Sequence, residues 1–147
     1  MPLRGEYEPS PSQWVRDQVA QYERSGGQSA NTLGDTGLPV VIVTTHGHKS
    51  GKIRKFPLMR VEHGGEYALV ASKGGAPEHP LWYHNLKADP AVMVQDGPAA
   101  FDYEVREVSG PEREQWWDRA VEAYPPYAEY QTKTTRQIPV FVATRRS

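Results

Sequence analysis

The chain has 147 residues, which suffices for one domain that buries about 70% of its unfolded surface. Its 17 lysines and arginines against 18 aspartates and glutamates give a formal net charge of -1, which excludes the uniformly basic surface of a general nucleic-acid-binding protein. Without cysteine, the chain has no disulfide, thiolate zinc site or cysteine nucleophile. Its apolar runs are far shorter than the ~20 residues of a membrane helix, and its first residues lack a secretory signal pattern, so we expect a cytoplasmic protein.

The N-terminal segment, residues 1–37, is predicted to form an amphipathic helix followed by a linker or covering loop. Ser10 would cap the helix, with Pro11 in its first turn, and apolar side chains recur at helical spacing until Gly26. We expect this apolar stripe to pack on the rest of the domain. The alternative is a peripheral contact of residues 11–25 with a membrane surface, which the scarcity of lysine and arginine on the polar face disfavours.

Residues 38–147 are predicted to form the body of a single α+β domain. The β-branched run from Val40 to Thr45 carries no charge, which is typical of a strand buried on both faces. Turn sequences at 63–65 and 96–98 predict two β-hairpins, and Pro57 places its strand at an edge or a bulge. Further strands are expected at 55–62, 66–72, 92–95, 101–108 and 138–143. About six mainly antiparallel strands result, and closing them into a small barrel would remove exposed edges.

Three peripheral helices are predicted among these strands. The first runs from Pro80 to Ala88. Ser109 and Glu112 match a capping box at the start of the second helix, which the Pro125-Pro126 pair ends. The third continues to about residue 133.

A positively charged segment lies between Asp35 and Glu62, where no acidic residue occurs. The basic residues in this segment are Lys49, Lys52, Arg54, Lys55 and Arg60, together with His46 and His48. The glycine-containing loop at 47–51 could bring backbone amides close to a phosphate, although neither a Walker A nor a dinucleotide-binding glycine pattern is found. The segment therefore predicts a local anion site, with a solvated surface turn as the alternative.

The histidines and serines do not form a recognisable metal or hydrolase motif. His46 and His48 would face the same side of a strand, as metal ligands often do. Since the chain has neither thiolates nor a His-Glu-x-x-His helix, ordinary loop or anion-contacting histidines are favoured, and we expect no metal site. A Gly-x-Ser-x-Gly elbow is also missing from the sequence.

Two aromatic segments are candidates for holding a planar ligand. The glycine-rich loop at 71–77 precedes a helix start that carries Trp82 and Asn85, and this arrangement could bind a ring edge through backbone amides. Tyr124, Tyr127 and Tyr130 recur every third residue. Core packing is the usual role of such residues, and the alternative is a ridge that covers a ring and presents a hydroxyl group.

Taken together and in order, these segments resemble the deazaflavin-dependent nitroreductase family of actinobacteria. The matching segments are residues 44–54, 57–58, 71–76, 80–90, 124–131 and 136–140, so the resemblance covers about residues 38–142. It implies a split β-barrel of the flavin-binding type. It also implies binding of coenzyme F420, a deazaflavin with a phosphate and an oligoglutamate tail whose negative charge the basic segment could attract.

The resemblance further implies which residues surround the coenzyme and the substrate. The cofactor-binding candidates are His48, Lys49, Ser50, Arg54, Lys55, Phe56, Pro57, Leu58, Met59, Val70, Ala71, Ser72, Lys73, Leu81, Trp82, Tyr83, His84, Asn85 and Tyr127. The catalytic candidates are Tyr127, Tyr124, Tyr130 and Ser72. His48 stands where the family usually has arginine, which weakens the implied anion clamp or makes it sensitive to pH.

The function that the resemblance implies is transfer of a hydride from reduced F420 to a quinone or nitroaromatic acceptor. The cofactor carries the difficult chemistry, so a catalytic triad or metal is not needed. Two alternatives use the same pocket: a non-enzymatic module that binds F420, haem or a lipid, and an FMN-dependent oxidoreductase of the same fold. No nucleic acid partner is expected, and the sequence leaves the oligomeric state open.

Overall fold

The computed structural model describes residue 3 and residues 5–146. Residues 1, 2, 4 and 147, at the ends of the two predicted segments 1–37 and 38–147, lie outside the described residues. Within the described part, seven antiparallel strands form one sheet, accompanied by four α-helices. The strands are β1 (Val40–His46), β2 (Ile53–Met59), β3 (Glu62–His63), β4 (Glu66–Val70), β5 (Ala91–Asp96), β6 (Ala99–Glu107) and β7 (Val140–Arg145). The helices are α1 (Gln13–Ser25), α2 (Leu81–Ala88), α3 (Gly110–Ala123) and α4 (Pro126–Thr132). The predicted α+β class with an antiparallel sheet is confirmed.

The sheet curls because its two end strands are consecutive in the chain. The strand order is β2-β1-β5-β6-β7-β4-β3, yet only Arg60 and Val61 separate β2 from β3. The Arg60 N–H donates to the carbonyl of Pro39 at 3.0 Å, and the Ala68 N–H donates to the carbonyl of Val61 at 2.9 Å. These two residues therefore bridge both ends of the sheet, which forms a half-barrel.

This curling corrects the prediction of one strand at 55–62. The strand begins earlier, at Ile53, and ends at Met59, and the chain then crosses to the opposite end of the sheet to form β3. The predicted turn is nevertheless present, since β3 and β4 pair around Gly64-Gly65, both of which have a positive φ. Alternating side chains along the segment cannot reveal the break, because a register argument assumes that the strand continues.

Pro57 lies on the strand at one end of the sheet order, which confirms the predicted edge position. It pairs with Ile42 of β1. On the other side of β2, the Ile53 N–H donates to the carbonyl of Glu6 and the Ile53 carbonyl accepts from the Glu8 N–H. Because backbone groups alternate in direction along a strand, residue 57 has the same outward orientation as residue 53, and its missing N–H removes no bond to β1.

Both faces of β1 are buried, as the run from Val40 to Thr45 predicts. Val40 and Ile42 belong to one apolar cluster, which also contains side chains of α1, α3 and α4. Val41 and Val43 belong to a second cluster, which contains side chains of β5, β6 and α2. Each such aliphatic side chain contributes about 1.5–3 kcal/mol through burial, so β1 anchors the fold from both sides.

Helix α1 packs on the sheet, as its apolar stripe predicts. Val19 and Tyr22 are buried in the first cluster, and the Tyr22 hydroxyl accepts a hydrogen bond from the Gly97 N–H at 2.7 Å. Trp14 is 60% exposed on the same helix. Contact of residues 11–25 with a membrane surface stays a prediction, as does the boundary at residue 37. None of the helices within the described residues has the length and apolar character needed to cross a bilayer.

The two predicted helix caps are wrong in detail. Helix α1 begins at Gln13 after Ser12, and the Ser10 hydroxyl instead accepts a hydrogen bond from the Ser12 N–H at 3.1 Å. Ser109 does precede α3, but its side chain makes no capping bond. The Glu112 carboxylate is held by the Arg106 guanidinium through two hydrogen bonds of 2.8 and 2.6 Å. A bidentate ion pair thus replaces the reciprocal bond of a capping box.

Candidate functional site

A cleft of about 800 Å³ lies where the loop after β1, the start of β2, the turn after β4 and the start of α2 meet. Ten of the predicted cofactor-binding residues line it: His48, Lys49, Ser50, Arg54, Lys55, Phe56, Lys73, Leu81, Trp82 and Asn85. Glu8, Ser10 and Val15 of the N-terminal segment complete its wall. The structure therefore brings together ten of the nineteen cofactor-binding residues that the sequence resemblance implies, and none of the four catalytic candidates lines this cleft.

The loop between β1 and β2 is shaped by its glycines. The Gly47 N–H donates to the carbonyl of Lys52 at 2.8 Å, and the Gly51 N–H donates to the carbonyl of Gly47 at 2.9 Å. Gly51 has a φ of 70°, a left-handed conformation that other residues adopt only with strain. This tight turn holds His48 and Lys49 at the cleft.

Asn85 ties this loop to helix α2. Its side chain is buried, and its Oδ1 accepts hydrogen bonds from the His48 N–H at 2.9 Å and from the His48 Nδ1 at 2.7 Å. A backbone N–H can only donate, so the shared Asn85 atom is the oxygen, and the His48 Nδ1 must carry a proton. In the neutral ring, Nε2 of His48 is then the acceptor. His46, in contrast, is paired with Asp89 at 3.0 Å.

The apolar part of the cleft is formed by aromatic rings. Phe56 and Trp82 stack with their centroids 5.2 Å apart and an interplanar angle of 16°. Leu81, which begins α2, is 74% exposed beside them. A flat aromatic pair next to an exposed aliphatic side chain is suited to a planar, largely apolar ring system.

Three of the four lysines and arginines that line the cleft have acidic partners, and two of these partners come from the N-terminal part of the chain. The Arg54 Nη1 lies 3.5 Å from the Glu8 carboxylate, the Lys55 Nζ lies 2.7 Å from Glu23, and the Lys73 Nζ lies 3.0 Å from Glu78. The hydrogen bond from Lys73 lowers the pKa of Glu78 below its ordinary value. Among the residues that the structure describes, Lys49 has no acidic partner. The acid-free segment of the sequence is thus largely neutralised in the fold.

Arg60 is placed away from the cleft, although it belongs to the same basic segment. Its Nε donates to the Asp96 carboxylate at 2.8 Å, and the Tyr67 hydroxyl donates to the same carboxylate at 2.6 Å. Burial raises the pKa of Tyr67 above its ordinary value, and the hydrogen bond to Asp96 raises it further. This cluster holds the crossing between β2 and β3 against the β5–β6 hairpin.

The turn after β4 combines strain with a strong clamp. Lys73 has a φ of 46°, which costs a non-glycine residue about 1–2 kcal/mol, and it follows Ser72 in the right-handed region. Such a pair directs successive backbone N–H groups to one side, the geometry of an anion-binding nest. Strain of this kind persists where surrounding contacts enforce it, and it is concentrated at functional sites.

Arg136 supplies the clamp on this turn. Its guanidinium donates to the carbonyls of Ala71, Ser72 and Ala76 at 3.2, 2.9 and 3.0 Å, and to the His79 Nδ1 at 3.1 Å. Burial, together with the charge of Arg136, lowers the pKa of His79. This role of Arg136 could not be predicted, because no local pattern connects a loop arginine to carbonyl groups so far away in the chain.

The three tyrosines of the predicted ridge form a packed cluster. The hydroxyls of Tyr124 and Tyr130 are 3.0 Å apart, and this hydrogen bond, followed by burial, raises the pKa of Tyr124 to about 12. Tyr127 is buried between them, which raises its pKa, and within the described residues its hydroxyl makes no hydrogen bond. Helix α4 lies so close to the turn after β4 that a Cβ on Gly75 would be 2.7 Å from the Tyr130 carbonyl oxygen.

The remaining cofactor-binding candidates are not part of the cleft wall. Met59, Val70, Ala71 and Ser72 are buried. Leu58 and Tyr83 pack against the second apolar cluster, and the His84 ring lies 5.7 Å from the His48 ring. Pro57 lies at the middle of β2. In the part of the chain that the structure describes, no group of three or more acidic or histidine side chains is placed to hold a metal ion.

Comparison with known proteins connects this geometry to a family. Residues 14–145 match the family model described as F420H(2)-dependent quinone reductase. The chain belongs to this family. Coenzyme F420 is accordingly the cofactor, and the chain is an oxidoreductase of the F420H2-dependent quinone reductase family, which confirms the resemblance seen in the sequence.

Relatives in sequence and in structure agree with this assignment. The F420H(2)-dependent quinone reductase Rv1261c of Mycobacterium tuberculosis is 40% identical over 111 residues, which are 74% of each chain. The solved F420-H2 dependent reductase FDR-A is 64% identical, with a TM-score of 0.69, over 72% of this chain and 94% of its own. A second solved structure, described as a domain-swapped dimer, is 54% identical, with a TM-score of 0.73, over 92% and 100%. The fold is the split β-barrel of the flavin-binding type.

The residues present in the cleft fit the two chemical halves of F420. The stacked pair of Phe56 and Trp82 is suited to the flat deazaflavin ring, and Arg54, Lys55 and Lys49 are suited to its phosphate and carboxylates. The cleft volume of about 800 Å³ lies within the usual range for cofactor sites.

Proposed function

We propose that the protein reduces a quinone by hydride transfer from F420H2 in this cleft. The observation that supports the proposal is the junction of a stacked aromatic pair with a row of cations in one cleft. An apolar ring and a polyanionic tail on one ligand require both features side by side. A hydride carries two electrons, and one proton must accompany it to turn a quinone into the quinol.

In this proposal, the residues of the chain bind the coenzyme and orient it. Arg54, Lys55 and Lys49 hold the phosphate and the glutamate carboxylates through charge-assisted hydrogen bonds. Ser72 and Lys73 hold the ring edge or the phosphate side, on the turn that Arg136 fixes. When bound, the coenzyme would supply the hydride, and these residues would align it with the acceptor, which is the protein's main contribution to the rate.

The proton comes from water or from the tyrosine cluster. Tyr124 and Tyr130 share a hydrogen bond, and the pKa of Tyr124, about 12, keeps its phenol protonated at neutral pH. Tyr127 is buried beside them. A phenol that retains its proton can donate a hydrogen bond to a quinone oxygen as negative charge develops there.

The first test is binding of F420, followed by turnover. Wild-type protein is titrated into F420 while the fluorescence of F420 is recorded. Oxidation of F420H2 is then followed with menadione and with a nitroaromatic acceptor. We expect saturable binding that excess FMN does not reverse, and oxidation that depends on the quinone. Tight binding without oxidation by any acceptor would support a carrier instead, and displacement by FMN would support an FMN enzyme. Oxidation by the nitroaromatic would extend the acceptor range.

The second test separates catalysis from packing in the tyrosine cluster. Tyr127→Phe should lower turnover more than F420 affinity, because only the hydroxyl is removed. Tyr103→Phe is the matched control, since Tyr103 is a buried tyrosine of the other apolar cluster. Equal losses of turnover and affinity in Tyr127→Phe would assign this residue to binding alone.

A further inference from the structure

The N-terminal residues 5–10, which we call the strap, pair with the outer side of β2 at Ile53. The Ile53 N–H donates to the Glu6 carbonyl at 2.8 Å, and the Glu8 N–H donates to the Ile53 carbonyl at 2.9 Å. Tyr7 forms the parallel bridge to Ile53 between them. These backbone hydrogen bonds fix the positions of Glu6 and Glu8 beside β2, independently of what their side chains contact.

The two glutamates of the strap meet different basic residues. The Glu8 carboxylate lies 3.5 Å from the Arg54 Nη1, and both residues line the cleft. The Glu6 carboxylate lies 3.9 Å from the Lys52 Nζ, and neither of these residues is part of the cleft wall. The strap therefore places one carboxylate inside the binding site and an otherwise similar one outside it.

Among the three paired cations of the cleft, Arg54 has the longest contact with its acidic partner. The Arg54 Nη1 lies 3.5 Å from Glu8, against 2.7 Å for Lys55 to Glu23 and 3.0 Å for Lys73 to Glu78. A ligand carboxylate that approaches Arg54 must displace Glu8 or share the guanidinium with it. Either outcome costs binding free energy, through the lost ion pair or through repulsion between like charges.

We propose that Glu8 is a specificity residue, whose carboxylate competes with the oligoglutamate tail of F420 for Arg54. The inference rests on the proposed binding of F420 in this cleft. Glu8 reduces affinity for ligands according to the negative charge that they bring to Arg54, and it leaves binding of the uncharged ring part unchanged. The protein thus discriminates among deazaflavins by their tails at a residue that never touches the ring.

The test compares two substitutions on two ligands. Glu8→Gln and Glu6→Gln each remove one negative charge from the strap and keep the size of the side chain. Dissociation constants are measured by fluorescence for F420 and for the tail-free deazaflavin, at low and high salt. We expect Glu8→Gln to bind F420 about two- to fivefold more tightly at low salt, with a smaller gain at high salt. Affinity for the tail-free ligand should not change, and Glu6→Gln should behave as wild type.

Each other outcome overturns the inference. Unchanged F420 affinity in Glu8→Gln would show that the tail does not reach Arg54. Equal gains in both variants, or on both ligands, would reveal a general charge effect. Weaker F420 binding would show that Glu8 positions Arg54 rather than competing for it. If wild type binds neither ligand, the proposed function itself fails; thermal melting without ligand confirms that both variants fold.

Discussion

An arginine lies at each end of β2, and the two differ in how firmly their acidic partners hold them. Arg54, near the start of the strand, faces the cleft and has one 3.5 Å contact with a half-buried glutamate, Glu8. Arg60, just past the end of the strand, donates to Asp96 at 2.8 Å, and Tyr67 donates to the same carboxylate. The sequence gives the two residues the same basic, acid-free surroundings. Their partners, contributed by other parts of the chain, make one arginine available to a ligand and commit the other to the fold.

The largest expected effect on stability comes from changing Asp96, the acidic partner of Arg60. Asp96→Asn removes the charge that Arg60 and Tyr67 share, and we expect it to lower the free energy of unfolding by about 1.5–3 kcal/mol. Urea denaturation at neutral pH measures this change. Glu62→Gln is the control, because Glu62 lies 4.0 Å from Arg60 and should contribute less than about 0.5 kcal/mol. Similar values for both variants would contradict the distinction between a fixed and a displaceable arginine.

Arg136 is also held within the fold, like Arg60. Its substitution extends the comparison to the turn after β4, on another side of the cleft. Arg136→Lys keeps the charge but loses the planar fork that reaches three carbonyls and His79. We expect unfolding free energy to fall by about 1–2 kcal/mol and F420 affinity to fall with it, because the turn carrying Lys73 loosens.

The control for this prediction is Arg119→Lys, since Arg119 lies over the Trp116 ring at 4.6 Å and outside the cleft wall. It should leave F420 affinity unchanged. If Arg136→Lys also binds F420 as tightly as wild type, the turn is not part of the binding site.

The available end of β2 is tested by ligand affinity rather than by stability. Arg54→Ala should weaken F420 binding about tenfold at low salt, roughly 1.4 kcal/mol, and should reduce the dependence of binding on salt. Lys52→Ala is the matched control on the same stretch of chain, since Lys52 does not line the cleft. Fluorescence titration at two salt concentrations separates the two variants. Equal losses would mean that the whole basic segment attracts the ligand without a specific contact.

The smallest expected effect is on the free energy of unfolding at alkaline pH, where Tyr67 loses its proton. The pKa of Tyr67 in the folded protein is raised above its ordinary value of 10.0, so the unfolded chain loses this proton first. The stabilisation is complete below about pH 10 and is lost as pH rises further, with a slope of up to about 1.4 kcal/mol per pH unit for one proton. Tyr67→Phe should therefore show a shallower decline in unfolding free energy above pH 10. Parallel declines would show that Tyr67 titrates as freely in the folded state as in the unfolded one.

Local pattern was sufficient for much of the fold. The β-branched run of β1 and the turn between β5 and β6 were predictable because both depend on neighbouring residues. The break after Met59 was not, because it arises where the curled sheet brings its ends together. The cap at Ser109 failed for a related reason, since Glu112 has a better partner in Arg106, a residue on another element.

The candidate site shows the same division between local and long-range information. The loop at His48, the basic start of β2 and the aromatic start of α2 could be read from the sequence, and they do converge on one cleft. The carboxylates of Glu8 and Glu23 could not be assigned to this site, because only folding brings them to Arg54 and Lys55. A sequence shows where charge is concentrated, whereas the fold decides how much of that charge a ligand can use.

Pro57 has a consequence for how this protein behaves at high concentration. The outer side of β2 is a potential template for strands of other molecules, and such edges promote aggregation. The strap occupies the backbone groups of Ile53, and Pro57 offers no hydrogen-bond donor further along. A foreign strand therefore finds no continuous row of donors and acceptors there, so the strap that carries Glu8 to the cleft, together with Pro57, also hinders strands of neighbouring molecules from adding to the sheet.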